Sequence, residues 1–146
     1  MLVYRVCSAK YPNLDGAGAH LSGGRWNNPG LAIVYTASSV SLAILETRVH
    51  LRTMPLNYVR MTIEIADQAP IVDGRVNLPA GWQHNPVVTR MYGDEHFGMH
   101  ADSAFIVPSV VVDTDWNLLF TPEFAAKHAH VVGQEPVAFD VRLWAV

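Results

Sequence analysis

The chain has 146 residues, of which 50% are hydrophobic and 16% are charged, with a formal net charge of −3. This composition can build one folded domain over residues 1–146 and excludes an intrinsically disordered chain. The acidic balance argues against a broad nucleic-acid-binding surface, and no apolar run approaches the roughly 20 residues of a membrane span. The N-terminal residues do not indicate secretion, and the single cysteine, Cys7, excludes an internal disulfide. We therefore expect a cytoplasmic protein that contacts neither a membrane nor nucleic acid directly.

Short apolar and alternating segments predict a β-rich chain with a few helices. In chain order, the sequence predicts a strand at 2–6, a long loop at 8–30, a strand at 31–36, a helix from serines 38 and 39 to about 51, strands at 58–65 and 71–72, a helix from 86 to about 97, strands at 105–112 and 117–120, a helix at 122–128 and a strand at 136–143. Because strands and helices do not alternate regularly, the predicted fold class is α+β. A loop as long as 8–30 inside a small domain suggests a functional role.

Glu46 breaks the apolar pattern of the first predicted helix. It follows Leu42 by four residues and Leu45 by one, and it precedes Val49 by three, so its side chain lies in or beside the buried face. A buried carboxylate needs a partner or a pocket. Two interpretations stay open at this point. Glu46 is either an edge residue that reaches water or a basic neighbour, or a carboxylate in a cleft that stabilises positive charge or acts as a base.

The segment GGRWNNPG, residues 23–30, is the second unusual feature. Two glycines permit a close approach of the backbone to a ligand. Arg25 carries a planar set of donors that suits phosphate, and Trp26 offers a stacking surface. The same segment is also compatible with a structural turn in which Trp26 anchors the core. The glycine spacing matches neither a P-loop nor the dinucleotide-binding fingerprint.

Three further polar residues lie in or beside predicted strands. Arg5 is expected to be exposed unless other observations place it in a pocket. Tyr35 ends a strand just before a helix, where ligands often bind, although a buried tyrosine bonded through its hydroxyl is as common. Ser109 lacks the surroundings of a serine nucleophile and is expected to bond a ligand or the backbone.

The seven histidines of the chain also raise the hypothesis of a metal-dependent hydrolase. The residues that could build it are His96, His100 and Asp102. Gly98 weakens the helix that would align the two histidines, and the spacing does not match a known zinc-binding helix. We therefore predict no metal site.

The run GGRWNNPGLAIVYTASSVSLAILETRVH, with YR upstream and VPSVVVDTDWNLLFTP downstream, resembles the RES-domain toxins of bacterial toxin–antitoxin modules. That family is named for an Arg, a Glu and a Ser, which correspond here to Arg25, Glu46 and Ser109. The resemblance implies a single α+β domain like the ADP-ribosyltransferases, for example the catalytic domain of diphtheria toxin, with mixed sheets and a few helices. It also implies a toxin that breaks the nicotinamide–ribose bond of NAD+, with water, phosphate or a protein as acceptor, and thereby arrests growth.

The resemblance further implies roles for individual residues. Glu46, Arg25 and Tyr35 are the expected catalytic residues. The carboxylate stabilises the positive charge of the reacting ribose, the guanidinium of Arg25 holds the pyrophosphate together with that of Arg5, and the phenol stacks on or near the nicotinamide. Ser109 bonds the adjacent ribose or positions Glu46. The residues expected to contact NAD+ are Arg5, Arg25, Trp26, Asn27, Tyr35 and Ser109.

The resemblance also implies specific partners. NAD+ is the substrate, and neither a cofactor nor a metal is expected. The expected protein partner is a Xre-type helix-turn-helix antitoxin that blocks the active site, and larger toxin–antitoxin assemblies are expected. The alternative is a non-catalytic module that binds a nucleotide or a protein through the same pocket.

Overall fold

The computed structural model describes residues 1–145 and organises them around one sheet. In chain order the elements are β1 (Leu2–Ser8), α1 (Ala17–Ser22), β2 (Val34–Ala37), α2 (Val40–His50), β3 (Tyr58–Ile65), β4 (Ile71–Asp73), α3 (Pro86–Met99), β5 (Ala104–Pro108), β6 (Trp116–Phe120), α4 (Pro122–His128), β7 (Ala129–Pro136) and a 3₁₀ turn (Val141–Leu143). The strands lie side by side in the order β4–β5–β6–β2–β1–β3–β7. β4 and β5 are parallel and the other neighbours are antiparallel, so the expected α+β fold with a mixed sheet is confirmed.

Both faces of the sheet are covered. One face packs apolar side chains such as Met61 and Phe120 against Phe124 of α4. On the other face, Phe105 of β5 lies in a cluster with Phe97 of α3, and the start of α2 covers the end of β2. Helices α2 and α3 therefore lie on the same face, because the residues beneath them are linked by the cross-strand register of β2, β6 and β5.

Several predicted boundaries agree with the structure. Helix α2 begins where expected, because the Ser39 side chain accepts a hydrogen bond from the Leu42 amide over 3.1 Å. The strand at 58–65 and the helix at 122–128 are confirmed as β3 and α4. The expected strand at 105–112 stops at Pro108. The chain turns there because the Ser109 hydroxyl accepts hydrogen bonds from two backbone amides that follow it.

The predicted strand at 136–143 is wrong. The last strand is β7, which ends at Pro136, where the predicted strand was expected to begin. β7 pairs with β3 and forms an edge of the sheet. Its sequence AHVVGQEP leaves most side chains exposed, so it has no buried alternation that would reveal it. The apolar residues beyond it pack differently: Phe139 contacts the rings of Tyr58 and Trp144.

The predicted loop at 8–30 contains the short helix α1, which the sequence did not indicate. Its N-cap, Gly16, has a φ of 63° and makes no side-chain cap, and an added Cβ there would lie 2.6 Å from the Ile33 amide nitrogen. The start of α1 combines a local contact, in which the Asp15 carboxylate accepts from the Ala17 amide over 3.0 Å, with the close approach of Gly16 to the backbone at Ile33. Within residues 1–145, no helix combines the length and apolarity needed to cross a bilayer.

Candidate functional site

Glu46, Ser109 and Asn117 converge on the sheet face that α2 and α3 cover. The Ser109 hydroxyl donates a hydrogen bond to Glu46 Oε1 over 2.8 Å, and Asn117 Nδ2 donates to the same oxygen over 2.9 Å. Glu46 Oε2 has no hydrogen-bond partner among residues 1–145. One carboxylate oxygen is therefore fixed by two neutral donors and the other is left free, so the interpretation of Glu46 as pairing with a basic neighbour is wrong.

Ser109 is a support for this carboxylate. The residue is completely buried, and its Oγ accepts hydrogen bonds from the amides of Val111 and Val112 over 3.1 and 3.0 Å. Because those two amides occupy the acceptor side of the oxygen, the hydroxyl proton points toward Glu46. The arrangement agrees with the expected role of Ser109 in positioning Glu46.

Arg25 lies in the glycine-rich loop and folds back on the segment that leads into α3. Its Nη2 donates to the carbonyl oxygens of Trp82 and Gln83 over 2.7 and 2.9 Å, and its Nε donates to Thr89 Oγ1 over 3.2 Å. Thr89 is fully buried and its hydroxyl reaches the Arg25 carbonyl oxygen at 2.7 Å. The guanidinium is thus oriented by the protein, and its Nη1 has no hydrogen-bond partner within the described chain.

The middle of α3 holds the rest of that loop. Arg90 Nε donates to the Gly24 carbonyl oxygen over 3.0 Å, and the carboxylate of Asp94 accepts from the amide and the side chain of Asn28 over 3.0 and 2.7 Å. Gly93, between them, has no side chain where the Trp26 carbonyl oxygen approaches, and an added Cβ would lie only 1.8 Å from that oxygen. α3 therefore meets the loop at three places, at Gly24, Trp26 and Asn28.

Tyr35, Trp26 and Asn27 hold the same loop from the sheet side. The Tyr35 hydroxyl donates to Asn27 Oδ1 over 2.6 Å and accepts from the Trp26 amide over 3.0 Å. Burial raises the pKa of Tyr35, which keeps the hydroxyl protonated for this contact. Trp26 is 2% exposed and Asn27 is fully buried, with its amide bonded to three carbonyl oxygens. Trp26 and Asn27 are buried in the loop, so the geometry does not support their expected contacts with NAD+. Tyr35 uses its hydroxyl to hold the loop and is half-buried, and the stacking of its ring on or near the nicotinamide stays a prediction.

Electrostatics connect Arg25 with the carboxylate cluster. Burial lowers the pKa of Arg25, the positive charge of Arg90 lowers it further, and the charge of Glu46 acts in the opposite direction. Glu46 and Arg25 are therefore close enough to feel each other's charge, yet they form no ion pair within 4.0 Å. A fixed negative group and a fixed positive group thus border the same region.

Arg5 is the expected site residue that the structure separates from the others. Its neighbour Tyr4 pairs with Ala37 on the face that α2 covers. Successive side chains of a strand alternate between faces, so Arg5 points to the opposite face. On that face it lies near Cys7: burial raises the pKa of the Cys7 thiol, and the positive charge of Arg5 partly offsets this increase. The expectation that Arg5 binds the pyrophosphate together with Arg25 is corrected on this ground.

The histidine hypothesis has no geometric support. His96 stacks on Phe105 with ring centroids 4.0 Å apart, and its Nε2 lies 3.2 Å from the Ser103 carbonyl oxygen. Across the part of the chain that the structure describes, no three His, Cys, Asp or Glu side chains are grouped as metal ligands. His96, His100 and Asp102 therefore do not assemble a catalytic metal centre.

Two residues of this region were missed by the sequence reasoning. Asn117 is an amide inside the apolar run WNLLF, and that interruption was a usable signal. Arg90 had no comparable signal, because its partner is a backbone carbonyl 66 residues away.

The protein is thus an α+β domain in which a carboxylate held by hydroxyl and amide donors lies near an arginine-bearing loop. The RES domain family model matches residues 2–141, and the chain belongs to this family. The chain is 40% identical to "Prs ADP-ribosylating toxin" of Sphingobium sp. over 140 residues, which cover 90% of this chain and 83% of that protein. It is 34% identical to "Toxin Res" of Yersinia enterocolitica over 151 residues, covering 98% and 99%.

A solved structure has the same fold. The M. tuberculosis MbcT–MbcA toxin–antitoxin complex contains a chain that matches with a TM-score of 0.72 at 20% identity, covering 93% of this chain and 83% of that one. At that identity the likeness establishes the fold alone.

Proposed function

We propose that the chain is the toxin of a bacterial toxin–antitoxin module and that it cleaves NAD+ between nicotinamide and ribose. The observation that carries the proposal is the Glu46 carboxylate, anchored through Oε1 by Ser109 and Asn117 with Oε2 free. Membership of the RES domain family and relatives named as toxins support it. NAD+ is the substrate, and no cofactor or metal enters the proposed reaction.

The proposed chemistry needs a fixed anion more than a nucleophile of the protein. The nicotinamide of NAD+ is cationic and leaves as a neutral base when the bond from its ring nitrogen to the anomeric carbon breaks. Positive charge then develops on the ribose, and a preorganised carboxylate stabilises it more than it stabilises the ground state. The acceptor oxygen forms the new bond to the same carbon, and an attacking water releases its proton to the solvent.

Arg25 would hold the phosphates. Two of its three nitrogens are bonded to protein oxygens, which fixes the plane of the guanidinium and leaves Nη1 for a ligand. Charge-assisted hydrogen bonds to phosphate are the strongest contacts that such a group can make. The chain carries a net charge of −3, so local donors must attract the anionic part of NAD+.

The acceptor of ADP-ribose is water, phosphate or a protein. The name of the Sphingobium relative says that it ADP-ribosylates Prs, which supports including protein transfer among these outcomes. We further propose a cytoplasmic location and a Xre-type helix-turn-helix antitoxin as partner. The toxin–antitoxin complex that shares the fold supports a protein antitoxin.

The test is the release of nicotinamide from NAD+ by the purified chain, free of antitoxin. Parallel reactions with and without phosphate, and with cell extract and labelled NAD+, separate free ADP-ribose, its phosphorylated form and labelled protein. The proposal predicts nicotinamide release in at least one arm. Saturable NAD+ binding without release in any arm would contradict it and favour the non-catalytic binding module.

A further inference from the structure

Two half-buried arginines, Arg25 and Arg90, lie where the glycine-rich loop meets α3. Arg90 donates through Nε to the carbonyl of Gly24, the residue just before Arg25. Arg25 in turn donates to Thr89, the residue just before Arg90. Each arginine side chain therefore hydrogen-bonds the residue that precedes the other arginine in the chain.

Neither group has an acidic partner. Among residues 1–145, the arginines within 4.0 Å of a carboxylate are Arg60, Arg75 and Arg142. The nearest acidic side chain along α3, that of Asp94, is occupied by Asn28. The two guanidinium groups repel each other: burial is the largest cause of the lowered pKa of Arg25, and the positive charge of Arg90 lowers it further, while the negative charge of Glu46 opposes both. Such a pair is stabilised when an anion binds between its members.

The remaining donors also argue for a shared ligand. Arg25 has used Nε and Nη2 on protein oxygens, so one nitrogen, Nη1, is left. Arg90 has used only Nε, so both of its Nη nitrogens remain, and none of these three nitrogens is sealed from solvent. Arg25 by itself has two N–H groups left, both on one nitrogen, whereas the two arginines together offer three nitrogens with six N–H groups to a pair of phosphates.

We propose that Arg90 is a ligand-binding residue that shares a pyrophosphate group with Arg25, each guanidinium contacting one of the two phosphates. The inference rests on the proposed function, because it identifies the pyrophosphate as that of NAD+. It assigns the second cation of the clamp to α3, where the earlier expectation had assigned it to Arg5 on β1. α3 thereby supports the loop and binds the ligand.

The first experiment measures binding without turnover. Titration of the chain with inorganic pyrophosphate by calorimetry should give an affinity that Arg90→Gln weakens about 10- to 100-fold, the loss of charge-assisted hydrogen bonds. Arg52→Gln is the matched control, because Arg52 is exposed and the change in net charge is the same. Equal pyrophosphate affinity of Arg90→Gln and Arg52→Gln would overturn the inference.

The second experiment compares substrates. Arg90→Gln should raise KM for NAD+ about 10-fold or more with a smaller change in kcat, and should affect nicotinamide riboside, which lacks phosphate, far less. Arg90→Lys restores the charge and should recover part of the affinity. If Arg90 only supported Gly24, Arg90→Gln would lower kcat for both substrates alike, which would contradict a binding role.

The two experiments separate this inference from the proposed function. Pyrophosphate binding that depends on Arg90, in a chain that releases no nicotinamide, would retain the clamp and reject the catalytic proposal. Nicotinamide release with pyrophosphate binding independent of Arg90 would do the reverse. Urea unfolding of each variant checks that the Gly24 loop remains folded.

Discussion

Two glycines of α3 predict opposite effects of the same substitution. At Gly93 an added Cβ would lie 1.8 Å from the Trp26 carbonyl oxygen, well inside the 3.0 Å below which real Cβ contacts essentially do not occur, so helix and loop must separate by more than 1 Å. At Gly98 nothing lies within 4 Å of the added Cβ. Alanine has the higher helix propensity by about 0.8–1.0 kcal/mol, and only Gly98→Ala should gain it.

Gly93→Ala should destabilise the chain by about 1–3 kcal/mol, the usual cost of overpacking a tightly packed contact. The neighbour is backbone, which cannot rotate away as the tip of a side chain can. The displaced loop carries Arg25, and a shift of about 1 Å in a positioning group costs on the order of 100-fold in rate. Gly98→Ala should be at least as stable and as active as the parent chain.

Urea unfolding followed by tryptophan fluorescence measures both free energies, and nicotinamide release measures both rates. Equal stabilities of Gly93→Ala and Gly98→Ala would refute the inference that α3 and the loop meet through Gly93. A stable but inactive Gly98→Ala variant would contradict the expectation that a side chain at this open position leaves the site undisturbed.

Three further predictions follow from the hydrogen bonds and pKa shifts of the site. Ser109→Ala removes one bond to Glu46 and two to backbone amides, and should cost about 1–3 kcal/mol of unfolding free energy and lower kcat more than it raises KM. Ser103→Ala, at a buried serine whose hydroxyl makes no such bonds, is its control and should have a smaller effect on both readings. Tyr35→Phe leaves buried loop groups unpaired and should destabilise by about 1–3 kcal/mol, detectable as a lower urea midpoint. Burial lowers the pKa of His96 from 6.5, so the unfolded chain gains the proton first, and the free energy of unfolding should fall as the pH drops below 6.5. Urea midpoints at neutral and mildly acidic pH measure this effect. His96→Gln should lose that part of the pH dependence, and the same pH dependence in variant and parent would contradict the prediction.

The sequence predicted the position of Glu46 because a carboxylate on an apolar helix stripe is a local anomaly, visible without any partner. It predicted the α2 cap and the strand β3 for a similar reason, since both depend on residues adjacent in the chain. Ser109 entered through the family resemblance, and its local sequence indicated only a hydroxyl that could bond a ligand or the backbone.

Other features depended on contacts between distant segments. Trp26 was compatible with a stacking surface and with a core anchor, and only the packing of α3 and β5 around it distinguishes them. Arg5 was expected in the clamp, but the register that places its neighbour Tyr4 beside Ala37 turns it away. Arg90 reaches a carbonyl oxygen 66 residues away, which no local pattern records.

The most direct measurement of the proposed chemistry is the rate of nicotinamide release by Glu46→Gln at saturating NAD+. Glutamine keeps the shape of the side chain and an oxygen that Ser109 and Asn117 can hold, while it removes the negative charge. The rate should fall about 100- to 1,000-fold with little change in the free energy of unfolding, as for the loss of one preorganised electrostatic group. Glu123→Gln, an exposed change on α4, should leave the rate unchanged. Release by Glu46→Gln at the rate of the parent chain would contradict the account.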